Sequence, residues 1–191
     1  MTPLERRGKL YPVANILSRG EKPKVSRPET RLIAEYVATK FPGQRVAMGV
    51  PLGPAIDTGP ARLTHGQALA ASRPWRPEVD ALVWRDGVLL LIEAKIANYV
   101  DGLAKLPLYK SLVVTTPELA EWVSWEVRMR LVVPRAKAWI ELMAEAAGVE
   151  IDLFEPAWIS DYYDYRDRYW TKEYRERREE ILRLRRELGV E

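Results

Sequence analysis

Asp80 and the tripeptide Glu93-Ala94-Lys95 are the polar residues that most need a chemical explanation, because they stand at the ends of two apolar runs. Val79-Asp80-Ala81-Leu82-Val83-Trp84 and Val88-Leu89-Leu90-Leu91-Ile92 flank Arg85-Asp86-Gly87, whose Asp-Gly pair supplies the positive φ of a hairpin turn. In a strand, residues i and i+2 share a face, so Glu93 and Lys95 project together while Ile92 and Ala94 enter the opposite layer. Two antiparallel strands joined by this turn can bring Asp80 beside that pair. Two carboxylates at adjacent strand ends form a hard oxygen site suited to Mg²⁺ or Mn²⁺. They repel one another unless a cation lies between them. Lys95 can then orient or deprotonate a water, or stabilise charge on a phosphoryl group. The competing reading is a strand-end acid pair neutralised by a structural ion pair to Lys95.

The elements that must position these residues follow from periodicity. Ser26 and Pro28 open a helix whose face is Leu32, Ile33, Tyr36, Val37 and Phe41, and Pro42-Gly43 stops it. Arg45 to Leu52 reads as a strand. Residues 53–77, with four Pro and three Gly, read as a long loop with a helical piece near Gln67–Ala71. The unbroken apolar run of Val88–Ile92 predicts a strand buried on both faces. Helical patterns occupy 98–113 and 118–124, a strand Glu126–Val133, a helix 135–147 closed by Gly148, and a strand Val149–Phe154. One long helix is expected from Ala157 to Leu188. The order predicts an α/β fold with a mixed central sheet flanked by helices. Three segments result: an irregular arm over 1–27, a core over 28–156 and a C-terminal amphipathic helix over 157–191.

Asp80, the hairpin and Leu91-Ile92-Glu93-Ala94-Lys95 resemble the signature of the PD-(D/E)xK nuclease superfamily, most of all its Holliday-junction-resolvase-like and RecB-like members. The resemblance covers roughly residues 28–133 and implies a restriction-endonuclease-like fold. It implies Mg²⁺- or Mn²⁺-dependent hydrolysis of DNA, with Asp80 and Glu93 as metal ligands and Lys95 acting on the attacking water. The superfamily also places a Glu on its first helix. At about 100° per residue, Glu29 shares the sheet-facing side with Leu32, Ile33, Tyr36 and Val37, whereas Glu35 falls on the solvated side. Glu29 is therefore the expected third carboxylate, with a first-turn Glu serving the helix dipole as the alternative. RecB-like members carry Gln-hydrophobic-x-x-Tyr on the next helix. Here Lys105-Leu106-Pro107-Leu108-Tyr109 stands in that place, which departs from the pattern and offers Lys105 to a phosphate and Tyr109 to the core. In Pro77-Glu78-Val79-Asp80, Glu78 is either an extra ligand or a rim charge. His65 and Asp57 read as loop residues.

Composition supplies the boundaries. The 191 residues are 47% hydrophobic and 30% charged, enough for a full core and too apolar for disorder. Zero Cys excludes disulfides, Cys-ligated zinc and a thiol nucleophile. A single His disfavours a Ser-His-Asp triad or a His-built metal site. No apolar run reaches bilayer length and the first residues lack a signal-peptide pattern, so a cytoplasmic protein with no membrane partner is expected. Residues 1–28 carry a net +5 and 161–191 a net zero, leaving −2 for the middle of a chain whose total is +3. The arm residues Arg6, Arg7, Lys9, Arg19, Lys22 and Lys24 thus form a polyanion-binding candidate, with DNA as partner. In the C-terminal segment Tyr174, Ile181 and Leu188 recur every seven residues, as do Tyr163, Trp170 and Leu184, with Arg177 interrupting. That stripe suits a protein partner or a homodimer. The functional alternative is a catalytically silent protein of the same fold that binds nucleic acid or serves an assembly.

Overall fold

A computed structural model of the chain describes residues 28–55 and 63–188. The basic arm, with Arg6, Arg7, Lys9, Arg19, Lys22 and Lys24, lies outside the described residues, as do Ser26 and Asp57. The chain divides into two compact units, with the boundary between Phe154 and Glu155.

The first unit is built on a five-stranded mixed sheet in the order β1 (Arg45–Pro51), β2 (Glu78–Arg85), β3 (Val88–Ala94), β4 (Glu126–Val133) and β5 (Glu150–Leu153). The first three strands are antiparallel, and β4 and β5 are added parallel. Parallel neighbours need crossovers, supplied by α3 (Tyr99–Val113) between β3 and β4 and α4 (Ala138–Ala147) between β4 and β5. The remaining helices of this unit are α1 (Pro28–Lys40) and the short α2 (His65–Ser72). Asp86 (φ 48) and Gly87 (φ 78) make the β2–β3 turn, as two consecutive positive φ values require of a tight hairpin.

Alternation along the strands splits the core in two. Leu82, Trp84, Leu89, Leu91, Met129, Leu131 and Val133 join Leu103, Leu106 and Ile140 on the side of α3 and α4. On α1, Leu32, Ile33, Tyr36 and Val37 are buried, with α1 packed along β2 and β3. β3 sits between β2 and β4 and is buried from Leu89 to Ala94, in line with its unbroken apolar run. Tyr36 fastens α1 to the far side of the sheet. Its ring meets Phe154 edge-on at 5.4 Å and its hydroxyl donates to Asp152 Oδ2 at 2.7 Å.

Before β2, Arg76 is buried and bonds both oxygens of Glu118 at 2.8 Å, and its guanidinium also donates to the carbonyls of Pro51 and Leu52. Glu118 lies on the 3₁₀ segment Pro117–Trp122, where the sequence predicts helix over 118–124. This bidentate pair pins the α3–β4 connection to the end of β1.

The C-terminal unit departs from the expected single helix. It holds α5 (Ile159–Asp167), a 3₁₀ turn Arg168–Trp170 and α6 (Lys172–Glu187). Thr171 is the cause. Its backbone is extended (φ −71, ψ 147), and its hydroxyl accepts from Tyr174 N and donates to the Arg168 carbonyl. A β-branched residue in that conformation ends one helix and caps the next. The apolar spacing continues across the break, which is why periodicity alone runs the two helices together.

Candidate active site

The hairpin assembles the site at its open end. Ala81 pairs with Ile92, so one step further along the ladder Asp80 faces Glu93. Asp80 Oδ2 accepts from the Ala94 amide at 2.9 Å, which locks the carboxylate over the end of β3. Glu93 Oε1 lies 3.1 Å from Lys95 Nζ, as the i, i+2 spacing requires. Both are deeply placed, with Glu93 2% and Lys95 8% exposed.

α1 contributes Glu29. Its Oε1 accepts from the Ile96 amide at 3.2 Å and its Oε2 stands 3.7 Å from Lys95 Nζ. Glu35 instead bonds Arg31 at 2.7 Å, away from the cluster. Glu78 pairs with Arg73 at 2.8 Å in an exposed position, so it is a rim charge. His65 opens α2 and is exposed, next to a capping box formed by Thr64 and Gln67.

α3 completes the arrangement with residues that the motif alone does not single out. Asp101 Oδ2 sits 2.7 Å from Lys105 Nζ and 3.4 Å from Lys95 Nζ, bridging both ammonium groups. Lys105 Nζ also comes within 4.0 Å of Glu93 Oε1. The helix approaches this closely because residue 102 is Gly. A Cβ there would stand 2.6 Å from Leu131 Cδ1 and 2.9 Å from Lys95 Cγ, both too short for real contacts. Two sequence signals mark these residues: a lone Gly inside a helical pattern and an i, i+4 Asp–Lys pair. Tyr109, on the same helix, is buried in the core. Burial first, then the charges of Glu93 and Asp80, push its phenol well above the ordinary value.

Four carboxylates therefore surround two lysines, and the electrostatics follow from burial. Desolvation, and after it the charge of Asp80, pushes the Glu93 carboxyl up to about 7. Burial likewise raises Asp80, against the Ala94 amide and Lys95 which favour its ionised form. Burial works to lower Lys95, but Glu93, Glu29 and Asp80 outweigh it and hold the ammonium above its ordinary value. Asp101 is lowered by its hydrogen bond to Lys105. The two innermost carboxylates are thus short of positive charge even with Lys95 in place.

One atom makes the deficit specific. Glu93 Oε2 is buried with no hydrogen-bond partner. A buried carboxylate oxygen left unpaired costs on the order of 1–3 kcal/mol or more, and a hard cation between Asp80 and Glu93 would satisfy it. Among the described residues no group of three or more His, Asp or Glu is arranged as a metal cage. Two carboxylates with water and substrate oxygens in the remaining positions is the ligation Mg²⁺ usually takes. The donor set thus fits such an ion. A separate cleft of about 280 Å³, lined by Arg85, Asp86, Val88, Arg128 and Arg130, opens at the turn end of the hairpin, away from these carboxylates. No protein-family model matches the chain, and no curated protein matches it in sequence.

Proposed function

We propose that the chain is a cytoplasmic nuclease of the PD-(D/E)xK superfamily, with a restriction-endonuclease-like fold, that hydrolyses DNA phosphodiester bonds with Mg²⁺ or Mn²⁺. The observation that carries this reading is the clustering of Asp80, Glu93 and Glu29 around Lys95 at the open end of the hairpin, with Glu93 Oε2 buried and without a hydrogen-bond partner. The element order of helix, strand, hairpin, helix and strand around a mixed sheet supports the same reading.

Asp80 and Glu93 would hold the cation, with Glu29 orienting a second ion or a water. When bound, the ion supplies Lewis acidity toward a phosphoryl oxygen and lowers the pKa of its water. Lys95 is held as a cation by three carboxylates, so its part is to orient the attacking water and to stabilise charge growing on the phosphate, rather than to accept a proton. Glu29, bonded to the Ile96 amide, fixes the backbone immediately after Lys95. Lys105, now paired with Asp101, would meet a neighbouring phosphate on exchange of that partner. Arg6, Arg7, Lys9, Arg19, Lys22 and Lys24 would contribute sequence-independent phosphate contacts.

The test is cleavage of labelled duplex, flapped, branched and single-stranded DNAs with Mg²⁺, Mn²⁺ or EDTA, using wild type beside Asp80→Ala. Cutting that requires the metal and disappears in the variant is expected. Binding of DNA by both proteins with cutting by neither would replace the nuclease reading with a binding or assembly role.

A further inference from the structure

α6 has an apolar seam and no buried residue among those described. Tyr174 and Ile181 stand seven residues apart along it, Leu188 follows at the same interval as the residue that caps its end, and Arg177 and Leu184 fill the positions between them. Ile181 is 47%, Leu184 45% and Leu188 75% exposed, so the row is open from Ile181 onward, while Tyr174 at its start is half-buried with the Arg168 guanidinium 5.7 Å from its ring. The intrahelical pairs Lys172–Glu176 and Arg183–Glu187 support the helix on its polar side.

In heptad terms Tyr174, Ile181 and Leu188 occupy a, and Arg177 and Leu184 occupy d. Ile at a followed by Leu at d is the combination that favours two strands. The flanks are segregated by sign. Glu173, Glu180 and Glu187 fall at g, and Arg178 and Arg185 at e. We propose that α6 is a self-association element which pairs with α6 of a second copy of this chain as a parallel two-stranded coiled coil. In that orientation Glu173 faces Arg178 of the partner subunit and Glu180 faces Arg185 of the partner subunit, each pair occurring twice by symmetry. An antiparallel pair sets Glu against Glu and Arg against Arg. Charge therefore selects both the partner and the direction. The seam is short and Arg177 occupies one d position, so the dimer is reversible and its population rises with protein concentration.

The test uses the full chain in sedimentation equilibrium across micromolar concentrations. Wild type is expected to dimerise, and Ile181→Asp with Leu184→Asp to remain monomeric. These side chains are solvent-exposed, so the far-ultraviolet dichroism of the α/β unit should persist. Glu180→Arg places Arg opposite Arg twice and is expected to weaken the dimer about tenfold, and adding Arg185→Glu restores it. Direction is read by Leu188→Cys, since the chain has no other Cys. In a parallel pair the two substituted positions meet and oxidise to a covalent dimer. In an antiparallel pair they lie about 20 Å apart, beyond disulfide reach. A wild type that stays monomeric, a dimer that survives the double Asp substitution, or a dimer that Leu188→Cys cannot cross-link would each overturn the proposal.

Discussion

Replacing Glu93 by Gln should make the metal-free protein more stable while abolishing its proposed chemistry. The Glu93 carboxyl is raised from an ordinary 4.5 to about 7, by burial first and then by the Asp80 charge. At 1.36 kcal/mol per pKa unit, ionising this group in the folded protein costs about 3 kcal/mol relative to the unfolded chain. The sign follows from proton uptake. Between pH 4.5 and 7 the folded state binds more protons than the unfolded state, so the Glu93 contribution is fully present below pH 4.5 and is lost as pH rises through 7. Gln imitates the protonated form at every pH and keeps that contribution. In urea titrations with EDTA, Glu93→Gln and wild type should match near pH 4, and the variant should gain about 3 kcal/mol by pH 8. With m near 2 kcal/mol/M that gain moves the midpoint by roughly 1.5 M. Added Mg²⁺ should narrow the gap by stabilising wild type alone. A variant less stable than wild type at pH 8, or one whose pH dependence is unchanged, refutes the claim that Glu93 is a carboxylate short of positive charge.

Gly102→Ala should destabilise the fold by about 1–3 kcal/mol despite the better helix propensity of Ala, because its Cβ would press on Leu131 and Lys95; a thermal melt beside the cleavage assay reads both effects. Asp101→Asn releases Lys105 and removes one negative charge from the cluster, so DNA binding in EDTA should tighten several-fold. The slope of log K against log salt should then steepen by about 0.9, and an unchanged slope would remove Lys105 from the interface. Arg76→Met alone strands a buried Glu118 and should cost about 3–5 kcal/mol, whereas pairing it with Glu118→Leu should recover most of the loss; chemical denaturation of the two variants beside wild type separates these outcomes.

The parts of this architecture legible in the sequence are those encoded by local rules. The hairpin follows from Asp86-Gly87 and the two apolar runs, and its register follows from the turn, so the meeting of Asp80 and Glu93 needs no tertiary information. Glu29 is legible by a longer argument: sharing a helix face with Leu32 and Ile33 brings it to the sheet, where the Ile96 amide receives it. What escapes is specified by packing between distant segments. Asp101 reads as an ordinary helical partner of Lys105 until α3 is laid across β3. Gly102 reads as a weak helix residue until Leu131 is seen beneath it. The division of the C-terminal segment escapes for a different reason, since the hydroxyl of Thr171 overrides an apolar spacing that continues on either side.

The bond from Glu29 to the Ile96 amide spans 67 residues, and that separation sets an order of events. Asp80 and Glu93 are joined by a hairpin, which closes on a timescale of about 1–10 μs. Glu29 arrives only when a much larger loop has closed and α1 has docked, at a correspondingly greater entropic cost. Sequence separation thus divides the acidic cluster: Asp80 and Glu93 meet through a local hairpin, whereas Glu29, which fixes the backbone beside Lys95, depends on a long-range closure. A chain with α1 undocked would keep the hairpin carboxylates and lose the Glu29 bond beside Lys95. Under the proposed function, hydrolysis would require α1 to be docked as well as the hairpin closed.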